Sequence, residues 1–315
     1  MYKKKSWKEH AMTKGLIFDI QRFSVNDGPG IRTTVFFKGC GLRCAWCHNP
    51  ESIASYQQLS CDMTHCDGCK RCFDYVKGHG IEMIDKKAVI DTNIHDRSLD
   101  LVHVCPQGCF SVIGEEKSID EIVTVIMKDW DYYAESGGGV TFSGGEALNQ
   151  WLFIEPLARI LKEKGLHLTL DISGYDPAGI LTKTLGLIDL YLLDVKASSD
   201  DIYHKYIGQT LDPEGMLKIL ASARKPVILR VPLIENINDD SRLFDCLAQL
   251  NTAYDNIIET HLLPYHTLRK KQQFRLLNER EFFTVADQER KNFWKNEIMR
   301  RQIRHVFMEN ELISQ

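Results

Sequence analysis

The sequence predicts an α/β fold, a partial (β/α)6 barrel that contains a small cysteine-rich insert. Six stretches with the composition of buried strands recur along the chain, and helical patterns separate most of them. This alternation implies parallel strands joined by right-handed crossovers. Six βα units fall short of the eight in a closed barrel, so a partial barrel fits better, and an open doubly wound sheet is the alternative. Residues 60–115 interrupt the alternation and are rich in cysteine.

The elements are predicted in chain order as follows. Residues 1–14 are polar, and we expect them to be disordered. A strand at 16–23 is followed by a glycine- and proline-rich turn and by a β-branched, aromatic strand at 33–37. We assign residues 15–59 and 116–315 to the barrel, and residues 60–115 to the insert.

The second part of the barrel begins with a capping box at residues 118–121. The helix that it opens has an apolar face of Ile119, Ile122, Val123, Ile126 and Trp130. Further strands are predicted at 140–142, 167–172, 189–195, 227–232 and 258–263. Other helices should begin near Trp151, at Asp176-Pro177 and at Asp212-Pro213, because a cap residue before proline favours a helix start. A charged, exposed helix is predicted over 289–304.

Composition excludes several classes of function. The chain has 315 residues, a net charge of −4 and 43% hydrophobic residues, which suits a soluble globular protein and does not suggest a nucleic-acid partner. No apolar run approaches the length of a membrane span, and no secretory signal is recognisable. We therefore expect a cytoplasmic protein without a membrane partner. Thiols stay reduced there, so clustered cysteines indicate metal binding or catalysis.

Charged and small polar residues stand just past the end of each predicted barrel strand. In parallel α/β folds the carboxyl edge of the sheet is where sites are built, so we expect these residues to converge. They are Cys40, Gly144, Gly145, Glu146, Asp171, Ser173, Asp194, Lys196, Arg230 and His266.

The first cysteine motif is Cys40, Cys44 and Cys47, which follows the strand at 33–37. A four-iron cluster needs four ligands, so three thiolates would leave one iron open for a substrate. A zinc site with His48 as the fourth ligand is the alternative, but an adjacent Cys47-His48 pair strains tetrahedral closure.

The second motif lies in the insert and resembles half of a bacterial two-cluster ferredoxin. Cys66, Cys69 and Cys72 form a three-cysteine run, and Cys105-Pro106 matches the Cys-Pro that closes such runs. Because the fourth cysteine of one run binds the other cluster, these four cysteines make one ligand set. The region 93–99, where a second run would stand, contains no cysteine. We therefore predict one auxiliary four-iron cluster in a ferredoxin-like insert, with a zinc knuckle as the alternative.

Cys61 and Cys109 remain unassigned by these motifs. We interpret them as buried or spare thiols. A measured content of about twelve irons per chain would instead indicate a third cluster with these two cysteines among its ligands.

The cysteine spacing at residues 40–47, with the aromatic Trp46 before the last cysteine, resembles the signature of radical S-adenosylmethionine enzymes. The run Asp27-Gly28-Pro29-Gly30-Ile31-Arg32-Thr33 and residues 47–52 resemble one subgroup, the glycyl-radical-enzyme activating enzymes. The resemblance extends from about residue 17 to about residue 277. Many members have two auxiliary clusters. Many also have a glycine and then a lysine–tyrosine pair after the histidine that corresponds to His266; here the basic segment 267–274 replaces that stretch.

The resemblance implies an oxidoreductase that cleaves S-adenosylmethionine reductively at a [4Fe-4S] cluster and takes a hydrogen atom from a backbone glycine of a partner glycyl radical enzyme. A flavodoxin or ferredoxin would donate the electron. Another radical reaction, on a small molecule or a different protein, and a plain electron-transfer protein are the alternatives.

The resemblance also implies roles for residues of the site. Glu146, with Gly144 and Gly145, would hold the cofactor amino group, and Arg230 would lie near its carboxylate. Asp27 would lie near the substrate glycine, and the two aspartates Asp171 and Asp194 would help to bind a monovalent cation. The remaining cofactor contacts are expected from Trp46, His48, Ser173, Val195, Lys196 and His266.

Overall fold

The structure, a computed structural model, describes residues 14–90, 99–267 and 283–315. The start predicted to be disordered lies outside these ranges except for Lys14, with which the first strand begins. The basic segment 267–274 lies outside them from residue 268 onward, and the region 93–99 lies outside them up to residue 98. Within the described ranges, no helix is both long enough and apolar enough to cross a membrane.

The strands of the described residues form one large sheet and two small ones. In chain order they are β1 (Lys14–Ser24), β2 (Arg32–Phe37), β3 (Gln58–Cys61), β4 (Ile81–Ile84), β5 (Lys87–Ile90), β6 (Phe110–Ile113), β7 (Glu115–Ser118), β8 (Gly139–Gly144), β9 (His167–Ile172), β10 (Leu190–Asp194), β11 (Val227–Leu233), β12 (Ile257–Pro264), β13 (Val306–Met308) and β14 (Glu311–Ser314).

The large sheet confirms the partial barrel. Strands β2, β8, β9, β10, β11 and β12 lie side by side in chain order, and each neighbouring pair is parallel. A doubly wound sheet would reverse its strand order at a switch point, and this sheet does not. Strand β1 extends one side as an antiparallel neighbour of β2, and β13 extends the other side beside β12.

The helices of the described residues are α1 (Arg71–Tyr75), α2 (Leu101–Val104), α3 (Ile119–Ile126), α4 (Trp130–Ser136), α5 (Trp151–Glu163), α6 (Leu181–Thr184), α7 (Asp200–Ile202), α8 (Pro213–Ser222), α9 (Ser241–Ala253) and α10 (Gln288–Arg300). The predicted capping box is present at the start of α3, and the Asp212 carboxylate caps α8 by accepting a hydrogen bond from the Gly215 N–H at 2.8 Å.

Two helix predictions were wrong. The helix expected at Asp176-Pro177 begins only at Leu181, because the Asp176 carboxylate accepts from the N–H groups of Ile180 and Leu181, at 2.8 Å each, and so closes a wider turn first. Trp130 does not share the buried face of α3 and is 37% exposed. A 3-10 turn at Met127–Asp129 follows α3 and changes the helical period before Trp130.

The C-terminal helix α10 is charged but not fully exposed as predicted. Trp294 and Ile298 are completely buried in the main core. The Asp239 carboxylate accepts hydrogen bonds from Trp294 Nε1 at 2.8 Å and from Arg290 Nε at 2.6 Å. This buried carboxylate therefore fixes one face of α10 against the barrel.

The insert has its own small core. Strands β3 and β6 pair antiparallel, as do β4 and β5, and α1 packs against α2. The buried side chains between these elements are Cys61, Cys72, Ile81, Ala88, Ile90, Leu101, Cys109 and Phe110. Strand β7 then returns the chain to the large sheet, where it pairs with β1.

Lys38 joins the insert to the barrel. It follows β2 and is 1% exposed, and its Nζ donates to the Glu51 carbonyl oxygen and, at 3.1 Å, to Gln58 Oε1 at the start of β3. Burial lowers the pKa of Lys38 to about 8. A buried ammonium group is tolerated only with hydrogen-bond partners, so these contacts hold the entrance of the insert in place.

Candidate functional site

A cavity opens at the carboxyl edge of the parallel strands. The parallel register brings the strand ends together, with Phe37 opposite Gly144 and Asp194 opposite Arg230. The cavity is lined by Cys40, Leu42, Cys44, Trp46, Cys47, His48, Asn49, Ser52, Ser143, Gly144, Gly145, Asp171, Ile172, Ser173, Asp194, Lys196, Arg230, Pro232 and Leu263. Most residues that the sequence singled out for the barrel site therefore share one cavity.

Four predicted site residues do not line the cavity, but each contacts a residue that does. Glu146 binds Ser173, and the His266 ring stacks on the His48 ring at a centroid distance of 4.3 Å. The Val195 side chain is buried in the core, and its N–H donates to the Arg230 carbonyl oxygen at 2.8 Å. The Asp27 carboxylate lies 3.8 Å from the Arg230 guanidinium.

Backbone hydrogen bonds hold the cysteine loop, residues 40–47, in place. The Cys40 N–H donates to the Ile53 carbonyl at 2.9 Å. The N–H groups of Arg43 and Ala45 donate to carbonyl groups of the π-helical turn Tyr203–Ile207 at 2.8 Å and 2.7 Å. These anchors lie on both sides of the loop, so the positions of the three cysteines do not depend on side-chain contacts alone.

The aromatic residues beside the cysteines pack tightly. Trp46 is 4% exposed, and its ring lies 5.9 Å from that of Tyr206 and 6.0 Å from that of Phe283. The His48 ring is stacked on the ring of His266, which follows β12. Trp46 and His48 thus line the cavity with aromatic rings beside the three cysteines.

The glycines of the Gly144-Gly145 turn serve close backbone packing. Gly144 has a φ of +118°, and a Cβ there would lie 2.2 Å from the Phe37 carbonyl oxygen. A Cβ on Gly145 would lie 2.7 Å from the Gly39 and Ser52 carbonyl oxygens. The turn therefore presses directly on the segments before and after the cysteine loop.

Glu146 is the most deeply buried acid of the site, with 1% exposure. Its Oε2 accepts hydrogen bonds from the Ser173 hydroxyl and from the Ser173 N–H at 3.1 Å, and its Oε1 accepts from the Leu148 N–H at 3.4 Å. Burial raises the pKa of Glu146 to about 7, and the Ser173 bonds oppose that rise. A cationic ligand would restore the charge of this carboxylate.

Arg230 lies among three carboxylates. Its Nη1 donates to Asp171 Oδ2 at 3.1 Å and lies 3.8 Å from Asp27, and its Nε lies 3.9 Å from Asp194. Burial opposes the charge of Arg230, but the aspartates outweigh it and the pKa of Arg230 is raised. Burial raises the pKa of Asp171, with Arg230 opposing.

Lys196 supplies the second cation of this network. Its Nζ donates to the Asp194 carboxylate. Burial opposes the charge of Lys196, but Asp194, Cys44 and Asp171 together outweigh burial and raise the pKa of Lys196. The network of Asp27, Asp171, Asp194, Arg230 and Lys196 has three carboxylates for two cations, so one further positive charge would balance it.

Sequence reasoning missed several residues of the cavity. Ser143 is the clearest, because its hydroxyl donates to Asp171 Oδ2 at 2.7 Å and orients that carboxylate. A hydroxyl residue within a buried strand, two positions before Gly145, was the available signal. Asn49, Ser52, Pro232 and Leu263 line the cavity without such a signal.

A second cavity lies in the insert and contains the other predicted ligands. Cys66, Cys69, Cys72 and Cys105 line it, together with Cys109. Cys61 is buried near Cys72 but does not line this cavity. Gly68, between the first two cysteines, has a φ of +76°, and a Cβ there would lie 2.1 Å from the Lys86 carbonyl oxygen.

The donor chemistry of both cavities fits iron–sulfur clusters. Within the described residues, no three His, Cys, Asp or Glu side chains are arranged to hold a single metal ion. The cysteines instead line two shared cavities, with three at the barrel edge and five in the insert. Burial raises the pKa of Cys40 to about 12, so iron must displace the proton when it binds there.

The sequence model of the Radical SAM superfamily matches residues 34–243, about two thirds of the chain. The chain is 34% identical to the trans-4-hydroxy-L-proline dehydratase activating enzyme of Clostridioides difficile, over 81% of this chain and 85% of the relative. It is 37% identical to the (2S)-3-sulfopropanediol dehydratase activating enzyme of Klebsiella oxytoca, over 82% and 84%. It is 33% identical to the isethionate sulfite-lyase activating enzyme of Desulfovibrio desulfuricans, over 81% and 84%.

Among solved structures, a radical SAM methyltransferase from Sphaerobacter thermophilus has a similar fold, with a TM-score of 0.50 and 13% identity over 94% of this chain and 77% of that one. The superfamily uses S-adenosylmethionine and a [4Fe-4S] cluster, which agrees with the cysteine loop and its cavity. The chain belongs to the radical SAM superfamily and, within it, to the glycyl-radical-enzyme activating enzymes.

Proposed function

We propose that this chain activates a partner glycyl radical enzyme by taking a hydrogen atom from one of its backbone glycines. The observation behind the proposal is the meeting of the cysteine loop, the Gly144-Gly145 turn and the Arg230 network at one cavity. Relatives at 33–37% identity are named as activating enzymes. When bound, the iron–sulfur cluster and S-adenosylmethionine supply the one-electron cleavage that generates the hydrogen-abstracting group.

Cys40, Cys44 and Cys47 would hold the cluster and leave one iron open for the cofactor. Their loop is fixed by backbone hydrogen bonds, and all three cysteines line the cavity that would receive the cofactor. The surrounding residues would bind and orient the cofactor and exclude water from it, and no side chain has to act as a general base.

Glu146 would bind the amino group of the cofactor. It is a buried carboxylate with neutral hydrogen-bond donors around it, so an ammonium group beside it would lower its pKa and gain a charge-assisted bond. Ser173 orients Glu146 through its hydroxyl and its N–H.

Arg230 would orient the cofactor carboxylate and hold the aspartates of the network in position. Asp171 and Asp194 would supply oxygen ligands to a monovalent cation, the charge that the network lacks. The stacked His48 and His266 rings, with Trp46, would flank the adenosine end and keep water out.

Asp27 would position the substrate glycine. Its Oδ2 accepts from the Ser24 hydroxyl at 2.6 Å and from the Thr34 hydroxyl at 2.9 Å, so the segment 26–30 is fixed under the Arg230 network. An Asp27→Asn variant should activate the partner more slowly while it still cleaves S-adenosylmethionine. Activation at the wild-type rate would remove this role from Asp27.

The insert would hold one auxiliary cluster on Cys66, Cys69, Cys72 and Cys105. We place the protein in the cytoplasm, where these thiols stay reduced and where a flavodoxin or ferredoxin can supply electrons.

The test uses the anaerobically reconstituted chain, S-adenosylmethionine, a reductant and a candidate glycyl radical enzyme. Electron paramagnetic resonance should show the glycyl doublet, and the Cys40→Ala, Cys44→Ala, Cys47→Ala triple variant should show none. Cofactor cleavage without a doublet, even with several glycyl radical enzymes, would indicate another radical reaction. A chain that cleaves no cofactor under reducing conditions would be an electron carrier.

A further inference from the structure

The cavity of the insert contains one cysteine more than a cubane cluster needs. Cys66, Cys69, Cys72 and Cys105 have the spacing of a ferredoxin-type ligand set. Cys109 lines the same cavity and has no counterpart in that spacing. Five thiols for four iron corners leave one thiol beside the cluster.

The backbone fixes Cys109 firmly in place. It immediately precedes β6, and its carbonyl oxygen accepts a hydrogen bond from the Asp62 N–H at 2.7 Å. It is 3% exposed and belongs to the small core of the insert. A thiol in this position cannot turn away to solvent.

A tight turn brings Cys109 close to Cys105. The Gly108 N–H donates to the Cys105 carbonyl at 3.3 Å, and this tight turn folds residues 105–109 back on themselves. The Cys105 and Cys109 side chains line the same cavity, together with those of Cys66 and Cys72. Cys69, in contrast, is on the exposed side of the cavity.

We propose that Cys109 is not a ligand but a hydrogen-bond donor, whose S–H is donated to a ligating sulfur of the auxiliary cluster and raises the reduction potential of that cluster. A reduced cluster has more negative charge on its sulfurs, so a donor to a ligating sulfur stabilises the reduced form more than the oxidised form. The inference rests on the auxiliary cluster of the proposed function.

The chain offers a matched control for Cys109 in Cys61. Both are buried cysteines of the same small core, with 5% exposure for Cys61. Cys61 ends β3 opposite Phe110, the residue that follows Cys109. Cys61 lies near Cys72 but outside the cavity. Truncation of either removes one buried sulfur, and only truncation of Cys109 removes the proposed hydrogen bond.

The experiment compares Cys109→Ala, Cys109→Ser and Cys61→Ala in the reconstituted full chain. Iron is counted, and the midpoint potential of the auxiliary cluster is measured by redox titration followed by electron paramagnetic resonance. The Cys40→Ala, Cys44→Ala, Cys47→Ala background isolates the auxiliary signal.

We expect Cys109→Ala to keep its iron and to shift the midpoint to more negative values. Cys109→Ser, whose hydroxyl is still a donor, should stay nearer the parent value, and Cys61→Ala should not shift it. Loss of about four irons from Cys109→Ala would make Cys109 a ligand and overturn the proposal. An unchanged midpoint, or an equal shift in Cys61→Ala, would also overturn it.

The outcome is separable from the test of activation. If the parent background binds no iron, the auxiliary cluster does not exist and the role of Cys109 falls with it. A missing glycyl doublet, with the potential shift observed, would refute the proposed function and leave Cys109 as assigned.

Discussion

Replacement of the buried Glu146 by glutamine should make the cofactor-free chain more stable at alkaline pH and bind the cofactor more weakly. Folding raises the pKa of Glu146 from its ordinary value of 4.5 to about 7. The wild-type chain therefore has its full stability below about pH 4.5 and loses part of it as the pH rises through about 7. At pH 8 the loss approaches about 3 kcal/mol, at about 1.4 kcal/mol for each pH unit between the two pKa values.

A glutamine side chain does not ionise, but its amide has one acceptor oxygen where the carboxylate has two. If its oxygen takes the Ser173 donors, the bond from the Leu148 N–H is lost, at a cost of about 1 kcal/mol. The net gain for Glu146→Gln should be about 2 kcal/mol at pH 8 and about zero at pH 5.5. A chain of this size should then unfold about 3 °C higher at pH 8.

Thermal unfolding at the two pH values, without S-adenosylmethionine, measures this effect. Glu163→Gln, an exposed glutamate at the end of α5, is the control and should show no pH-dependent difference. Equilibrium binding should show an affinity for S-adenosylmethionine that is about 10- to 100-fold lower in Glu146→Gln, since a hydrogen bond between charged groups contributes about 1.5–3 kcal/mol. A variant that is less stable than wild type at both pH values, or one whose stability difference is independent of pH, would refute the reasoning.

Three further predictions concern Asp129, Arg230 and Cys105. Asp129→Asn should lower the free energy of unfolding in urea by about 1.5–3 kcal/mol at pH 7, because the Asp129 carboxylate accepts a hydrogen bond from Arg22. That bond lowers the pKa of Asp129, so the loss should shrink below about pH 4. An equal loss in the exposed Asp131→Asn would contradict this. Arg230→Met should destabilise the chain by about 3–5 kcal/mol, since it removes the cation beside the partly buried carboxylates of Asp171 and Asp27, and Arg230→Lys should lose less. Equal unfolding midpoints for the two variants would argue against it. Cys105→Ala should reduce iron from about eight to about four per chain while the cluster of the cysteine loop remains, and an unchanged iron content would exclude Cys105 as a ligand.

The parts of the fold that follow local rules were predictable. Strand-forming stretches, the capping box before α3 and the Asp212 cap of α8 depend on neighbours within a few residues, so spacing alone identifies them. The predicted start of α6 was wrong, because the Asp176 carboxylate accepts hydrogen bonds from the backbone a few residues further on. Local spacing does not decide which turn those bonds close.

The burial of Trp294 and Ile298 on α10 could not be predicted from the sequence, for a different reason. A strongly charged helix normally faces solvent. Trp294 is buried because Asp239, 55 residues away, accepts its indole N–H, and this pairing exists only once the barrel has assembled. The hydrogen bond from Lys38 to Gln58 is likewise a tertiary contact that forms only when the segments are brought together by folding.

The sequence by itself indicated the chemistry of this protein, because the spacing of Cys40, Cys44 and Cys47 and of the insert cysteines predicts the ligand sets before any folding is considered. Only the tertiary structure decided which groups complete the sites. The parallel register brought Ser143 to Asp171, and Asp27 to Arg230 across some two hundred residues of chain. The turn from Cys105 to Cys109 placed a fifth thiol beside the auxiliary ligands. Contacts of this kind depend on long-range packing, which no local pattern of residues encodes.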